Sequence, residues 1–194
     1  KHYAVHSGPE GVRHSFDAKA SAKDMVETYL PAFKTLVEAQ VEGVMGAYNR
    51  VNGVPACGSE ELLTEILRNE WNFNGYIVSD CYALADFHLY HKYTKDALES
   101  AVLAINSGLE LNCGCTYKSI MEGYEKGLIK QETIRKAATR LMATRFKLGM
   151  FDESTPYDSI PYDVVDSEEH RAFNRSLTER SVVLLKNKGL LPLD

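Results

Sequence analysis

Apolar residues recur at helical spacing over residues 22–39, at Met25, Tyr29, Ala32, Phe33, Leu36 and Val37. That period predicts an amphipathic helix, which Pro31 is placed to kink or break. The preceding residues 1–20 carry His, Gly and Pro without a helical period, and only residues 1–4 suggest a strand. Residues 43–48 form a short apolar run that reads as a buried strand, followed by a loop of turn formers over residues 49–55. Ser59 is a good N-cap for a helix to about residue 71. Asn74-Gly75 then turns the chain into a second buried strand over residues 76–80. A helix over residues 95–106 closes at Ser107-Gly108, and residues 109–112 read as a brief third strand. Helices over 117–126 and 132–148, a Pro-containing loop over 152–166 and a helix over 167–184 complete the pattern.

Short apolar strands alternating with longer amphipathic helices make repeated βα units and a parallel sheet. A closed (β/α)8 barrel needs eight strands and typically about 250 residues. The chain has 194 residues and three clear strands. The expected fold is therefore α/β, a partial (β/α)8 TIM barrel comprising its C-terminal half or more and lacking the first strands. An open doubly wound sheet is the alternative, although no G-x-G-x-x-G or Walker sequence supports a nucleotide-binding version of it.

Composition narrows the partners. A net charge of −5, from 27 acidic and 22 basic residues, argues against a nucleic-acid partner, which calls for a basic face. No apolar run approaches the roughly 20 residues that span a bilayer. The chain opens Lys1-His2-Tyr3 without Met, so it is expected to start inside a longer gene product, and targeting cannot be read from it. Four cysteines, at 57, 81, 113 and 115, offer one C-x-C and no second pair, so no metal site is expected.

The chemistry gathers at the C-terminal ends of the expected strands: Tyr48 and Asn49, Ser79 and Asp80, Glu110 and Asn112. In βα architectures that end carries the active site. Carboxylates there suit hydrolysis of an acetal, where one acts as nucleophile and a second as acid/base. Asp80 is the nucleophile candidate, because an apolar strand delivers it rigidly to the mouth; a bland helix-capping role is the competing reading. An aldolase-like barrel would want a strand-end Lys, and none of the three clear strands ends in one.

Four segments, in order, carry a resemblance. Lys1-His2-Tyr3-Ala4 resembles the Lys-His motif of glycoside hydrolase family 3. Residues 44–57, through Tyr48-Asn49 to Asn52-Gly53-Val54-Pro55, are similar to a second motif of that family. Gly75-Tyr-Ile-Val-Ser-Asp80 resembles its nucleophile strand, and residues 180–193 resemble its link from barrel to second domain. The resemblance implies that residues 1–180 are the C-terminal part of that family's N-terminal barrel, and that residues 181–194 lead into a second α/β sandwich domain. It implies Asp80 as nucleophile, Lys1 and His2 as donors to sugar hydroxyls, Tyr48 as an orienting neighbour of Asp80, and Arg13 as a further subsite residue. The acid/base would come from the second domain, and no cofactor is implied.

Cys81 stands where many β-glucosidases of the family carry Trp. Ser79-Asp80-Cys81 and Gly108-Leu-Glu-Leu-Asn-Cys-Gly114 resemble its β-xylosidase branch. This implies that Cys81 and Cys113 approach each other, as a disulfide, beside the subsite and crowd out a glucose hydroxymethyl group. No Asp precedes His6 or His14 at the spacing of the β-N-acetylglucosaminidase branch, so both are expected to fix the loop. His88 and His91 are expected at the surface or in loops, and Glu110 in a supporting role. The expected activity is that of a retaining, exo-acting β-glycosidase on terminal β-xylosyl residues of xylo-oligosaccharides. Its alternatives are a β-glucosidase of the same family or a non-catalytic carbohydrate-binding derivative. A periplasmic or secreted location is expected from the disulfide and the substrate.

Overall fold

In the computed structural model, which describes residues 1–193, the two longer strands follow the expected apolar runs and three two-residue strands lie outside them. The strands are β1 (Asp17–Ala18), β2 (Gly43–Gly46), β3 (Arg50–Val51), β4 (Val54–Pro55) and β5 (Tyr76–Ser79). Strand β2 pairs in parallel with β5, in a register that sets Gly43 against Tyr76 and Gly46 against Ser79. Tyr3 adds to the free edge of β2 through a parallel bridge to Gly46, and Leu111 adds to β5 through a bridge to Val78. The order across this layer is thus Tyr3, β2, β5, Leu111, which is also the chain order. Residues 109–112, expected as a strand, make only that single bridge. The expectation at residues 1–4 likewise reduces to Tyr3, whose amide donates to the Met45 carbonyl while its own carbonyl accepts from Ala47, both at 2.8 Å.

Helices cover the layer. The expected helix at 22–39 is three pieces: α1 (Ala22–Asp24), a π-wound turn at Met25–Tyr29, and α2 (Pro31–Glu38). Pro31 starts α2 rather than kinking a continuous helix, since it lacks an amide hydrogen and fits the first turn. Ser21 opens α1 with a capping box closed by Asp24. Ser59 caps the next helix by accepting from Leu62 at 3.2 Å, and residues Glu61–Glu70 are π-wound. Helix α3 (Ala83–Leu89) lies between the strand at 76–80 and the helix at 95–106, where no element was expected. Helices α4 (Ala97–Asn106), α5 (Ile120–Glu125) and α6 (Gln131–Lys147) match the expected helices, with α4 and α5 starting a few residues late. The expected loop at 49–55 is a tight hairpin, because Asn52 and Gly53 both take positive φ, 51° and 93°, and let β3 fold back on β4.

Tyr3, Leu63, Leu67, Ile77, Leu84, Phe87 and Leu109 are fully or almost fully buried and centre the core. The core also holds charge. Glu110, 1% exposed at its side chain, accepts from the Ile77 amide at 2.7 Å and pairs with Arg68 at 2.7 Å and Arg140 at 2.6 Å. Arg68 in turn donates to the carbonyls of Phe73 and Gly75. This carboxylate therefore clamps the turn and the start of β5 to α6. His91, expected at the surface or in a loop, lies in the loop after α3 but is buried there, 6% exposed and against Phe87. Burial drives its imidazole down to about 4, so it folds neutral. His88 is half-buried and bonds Ser100 at 3.0 Å.

The chain divides into two compact units, Lys1–Phe151 and one beginning at Asp152. The second carries α7 (Glu168–Ser181), capped by Ser167 through His170. No helix among the described residues is long and apolar enough to cross a membrane.

Replacing Glu110 with Ala strands two arginines. We expect a loss of about 3–5 kcal/mol in urea unfolding of the intact protein, and a loss under 1 kcal/mol would contradict the clamp. His91 adds a pH dependence. The unfolded imidazole takes up a proton near 6.5 and the folded one near 4, so stability falls as pH drops through that window. His91→Gln should remove that dependence, worth up to about 3 kcal/mol, when unfolding is compared at pH 7 and pH 4.5.

Candidate active site

Asp80 leaves the C-terminal end of β5, where its amide donates to the Gly46 carbonyl at 3.2 Å and carries the parallel pairing one residue further. Its side chain is 15% exposed. Oδ1 accepts from the Cys81 amide at 2.8 Å, and the Asp80 carbonyl accepts from Ala83 at the start of α3. Asp80 thus caps the following turn and also presents a second oxygen elsewhere. That oxygen, Oδ2, lies 3.2 Å from His2 Nε2.

His2 is set by its neighbour Tyr3, which locks onto β2. Burial pulls its pKa below the ordinary 6.5; Asp80 opposes that shift, and Lys1 and His6 add to it. The neutral imidazole can donate Nε2–H to the carboxylate. Lys1 is exposed and lines a cavity of about 270 Å³ with His2, His6 and Ser7. No ion pair joins Lys1 to Asp80 among the described residues. His6 lies 4.8 Å from His2, ring to ring, and its Nδ1 is 3.2 Å from Asn49 Oδ1. Asn49 is buried and also donates to the Ala4 carbonyl, so it ties the N-terminal loop to the end of β2.

Tyr48 sits at the same level. Its hydroxyl donates to the Cys81 carbonyl at 2.9 Å, which joins the exits of β2 and β5. Burial raises its pKa, with the Asp80 charge adding to the effect. Arg13 lies over the Tyr48 ring at 5.2 Å and pairs with Glu10 at 2.7 Å. Cys81 is joined to Cys113 by a disulfide, with Cα atoms 4.4 Å apart. Ser79 Oγ accepts from the Cys113 amide and the Asn112 side chain, so the disulfide closes a link already hydrogen-bonded. Cys57 and Cys115 are free.

The structure therefore brings His2, Tyr48, Asp80 and Cys81 together, with Arg13 reaching the group over Tyr48 and Lys1 adjoining it only through His2. Glu110 is not part of it; its carboxylate bonds the Ile77 amide near the other end of β5. Sequence reasoning missed Asp86, a buried carboxylate on α3 that lies 2.9 Å from His14 Nδ1. Burial raises its pKa, and the bond from His14 opposes this. The sequence signal is slight: Ala83, Leu84 and Phe87 are apolar, but a helix of seven residues is too short for them to mark a period on which Asp86 would stand out. Among the described residues no group of three or more His, Cys, Asp or Glu is arranged to hold a metal ion.

Parallel strands that end in a carboxylate, ringed by imidazole, phenol and guanidinium groups, define an α/β domain with a polar strand-end site. The chain belongs to glycosyl hydrolase family 3: the profile of that family's N terminal domain matches residues 1–144. A xylan 1,4-beta-xylosidase of Xylanibacter ruminicola is 42% identical over the whole chain, which covers 23% of that protein. A probable exo-1,4-beta-xylosidase of Aspergillus clavatus is 41% identical, again over the whole chain and 26% of the relative. Among solved structures, a GH3 exo-beta-xylosidase in complex with a xylobiose aziridine activity-based probe matches with a TM-score of 0.90 at 29% identity. It is matched over the whole chain and 26% of its own length. A β-glucosidase of Erythrobacter marinus matches with a TM-score of 0.87 at 30% identity, over the whole chain and 26% of its own. The chain spans about a quarter of the length of these relatives.

The His2–Asp80 contact is testable by titration. By NMR, the His2 imidazole should titrate below 6.5, and Asp80→Asn should push it lower still by removing the one anion that stabilises the imidazolium. An Asp80→Asn value unchanged or raised would show that the two groups do not meet.

Proposed function

We propose that this chain forms the later part of a (β/α)8 barrel in a retaining, exo-acting β-glycosidase, with Asp80 as its nucleophile. The observation that carries the reading is the convergence on Asp80: a carboxylate at a parallel strand end, 3.2 Å from His2 and next to Tyr48. The barrel is favoured over a doubly wound sheet by the order Tyr3, β2, β5, Leu111, which follows the chain without the reversal that a doubly wound sheet contains. Residues 181–194 then lead toward a second domain.

In the first step Asp80 attacks the anomeric carbon and the aglycone leaves with a proton from the acid/base. In the second, water releases the sugar from the Asp80 ester. Both pass through an oxocarbenium-like state whose positive charge the carboxylate faces. His2 donates to that carboxylate, and Lys1 and Arg13 supply charged donors for sugar hydroxyls. The acid/base is a residue of the second domain. No cofactor takes part, and the protein works in the periplasm or outside the cell.

The substrate is a terminal β-xylosyl residue of a xylo-oligosaccharide. The disulfide at Cys81–Cys113 supports this choice, since Cys81 directly follows Asp80 and the bulk of the bridge there would crowd a hydroxymethyl group. The xylosidase names of the relatives support it too. A β-glucosidase is the second reading, favoured by the similarity to the Erythrobacter marinus enzyme. Excluding one hydroxymethyl group is worth about 1–3 kcal/mol, so glucosides should be poor substrates rather than inert.

The natural full-length protein should hydrolyse an aryl β-xyloside about 10- to 100-fold faster, in kcat/KM, than the matching β-glucoside. Asp80→Asn should lower the xyloside rate at least about a thousandfold. Equal or reversed preference would favour the glucosidase reading, and an active Asp80→Asn enzyme would end the nucleophile assignment. The 194 residues alone should show negligible turnover, because no residue here is assigned as acid/base.

A further inference from the structure

We propose that Asp86 and His14 form a positioning pair that aims the Arg13 guanidinium at the sugar subsite beside Asp80. The inference rests on the reading of Arg13 as a sugar-binding residue and deepens it. Arg13 Nε lies 3.2 Å from His14 Nε2, and His14 Nδ1 lies 2.9 Å from Asp86 Oδ2. An arginine only donates, so Nε2 must accept and carries no proton. The imidazole proton therefore sits on Nδ1 and points at Asp86. The three side chains form a directed chain in which Arg13 donates to His14 and His14 donates to Asp86.

Each link has a structural cause. Asp86 is 2% exposed, and its ion-pair partner among the described residues is His14. Burial fixes its direction, as α3 starts immediately beyond Asp80 and Cys81. The His14 ring meets Tyr48 edge-on at 4.8 Å and lies 5.6 Å from Tyr90, so it cannot turn freely. Arg13 is then held from three sides: Nε by His14, Nη1 by Glu10 at 2.7 Å, and the flat face by Tyr48 at 5.2 Å. Nη2 has no hydrogen bond among the described residues and is the donor left for a sugar hydroxyl. Tyr48 bonds the Cys81 carbonyl, so the guanidinium is referenced to the same backbone that carries Asp80. Glu10 is 77% exposed at its side chain and cannot do this alone.

Asp86→Asn tests the pair in the full-length protein. An amide at 86 can donate to Nδ1, which would move the imidazole proton to Nε2 and set it against Arg13 Nε–H. KM for an aryl β-xyloside should rise about tenfold with kcat within about threefold, because a ground-state sugar contact is lost. In an Arg13→Ala background the same substitution should change KM less than about twofold. An undiminished effect in that background, or a fall in kcat at constant KM, would overturn the proposal. Long-range proton–nitrogen NMR of the unaltered protein should show His14 protonated on Nδ1 alone; protonation on Nε2 would overturn it. That measurement needs neither turnover nor a folded variant. If the unaltered protein hydrolyses neither glycoside, the functional reading fails while the His14 tautomer still decides the pair.

Discussion

The parallel register of β2 with β5 is the constraint on which the rest depends. Four paired residues, from Gly43 opposite Tyr76 to Gly46 opposite Ser79, bring two chain exits to one level. Ala47, Tyr48 and Asn49 leave one strand there, and Asp80 and Cys81 leave the other. A slip of one residue would send every side chain of one strand to the opposite face. Two close approaches guard the register. A side chain at Gly75 would collide with the Glu42 carbonyl, and one at Gly46 would meet the Cys57 sulfur. Glu110 and its arginines grip the start of β5, and the disulfide grips its end.

Polar groups then specify the site from the backbone outward. Asn49 ties the N-terminal loop to β2, Tyr48 ties β2 to the turn after β5, and Cys113 ties that turn to the Leu111 bridge. These ties leave one carboxylate oxygen of Asp80 facing His2. A single imidazole–carboxylate contact in a partly exposed site is weak in stability terms, but its direction follows from packed elements on both sides. Asp86 and His14 repeat the pattern one layer out, with a buried carboxylate orienting a ring that meets Tyr48.

Much of this was legible in the sequence. The apolar runs at 43–46 and 76–79 are strands, and Ser59 and Gly108 punctuate helices as their chemistry predicts. The strand-end position of Asp80 was legible because an apolar run ends on it. Other features were hidden for physical reasons. The stretch after Asp80 mixes Cys, Tyr, Ala and His in a helix of only seven residues, too short for a clear period. Pro31 was read as a kink or a break; the helix does break there and Pro31 begins the next piece, while the π-wound turn before it has no sequence mark. His91 is in a loop as one of its two readings had it, but nothing local reveals that the loop folds against Phe87 and buries the ring. Glu110 sat next to a strand end in the sequence, and only the fold shows its carboxylate meeting Arg68 and Arg140 instead of a substrate.

The site is thus a carboxylate delivered by one strand and oriented by groups from three other segments. Its proposed role requires a covalent bond between Asp80 and a sugar. The most direct measurement is mass spectrometry of the full-length protein after reaction with a 2-fluoro β-xyloside that bears a good leaving group. Attack by Asp80 predicts one xylosyl adduct, carried by the peptide that contains Asp80. An adduct on another carboxylate, or turnover of natural substrate with no adduct on Asp80, would contradict the account.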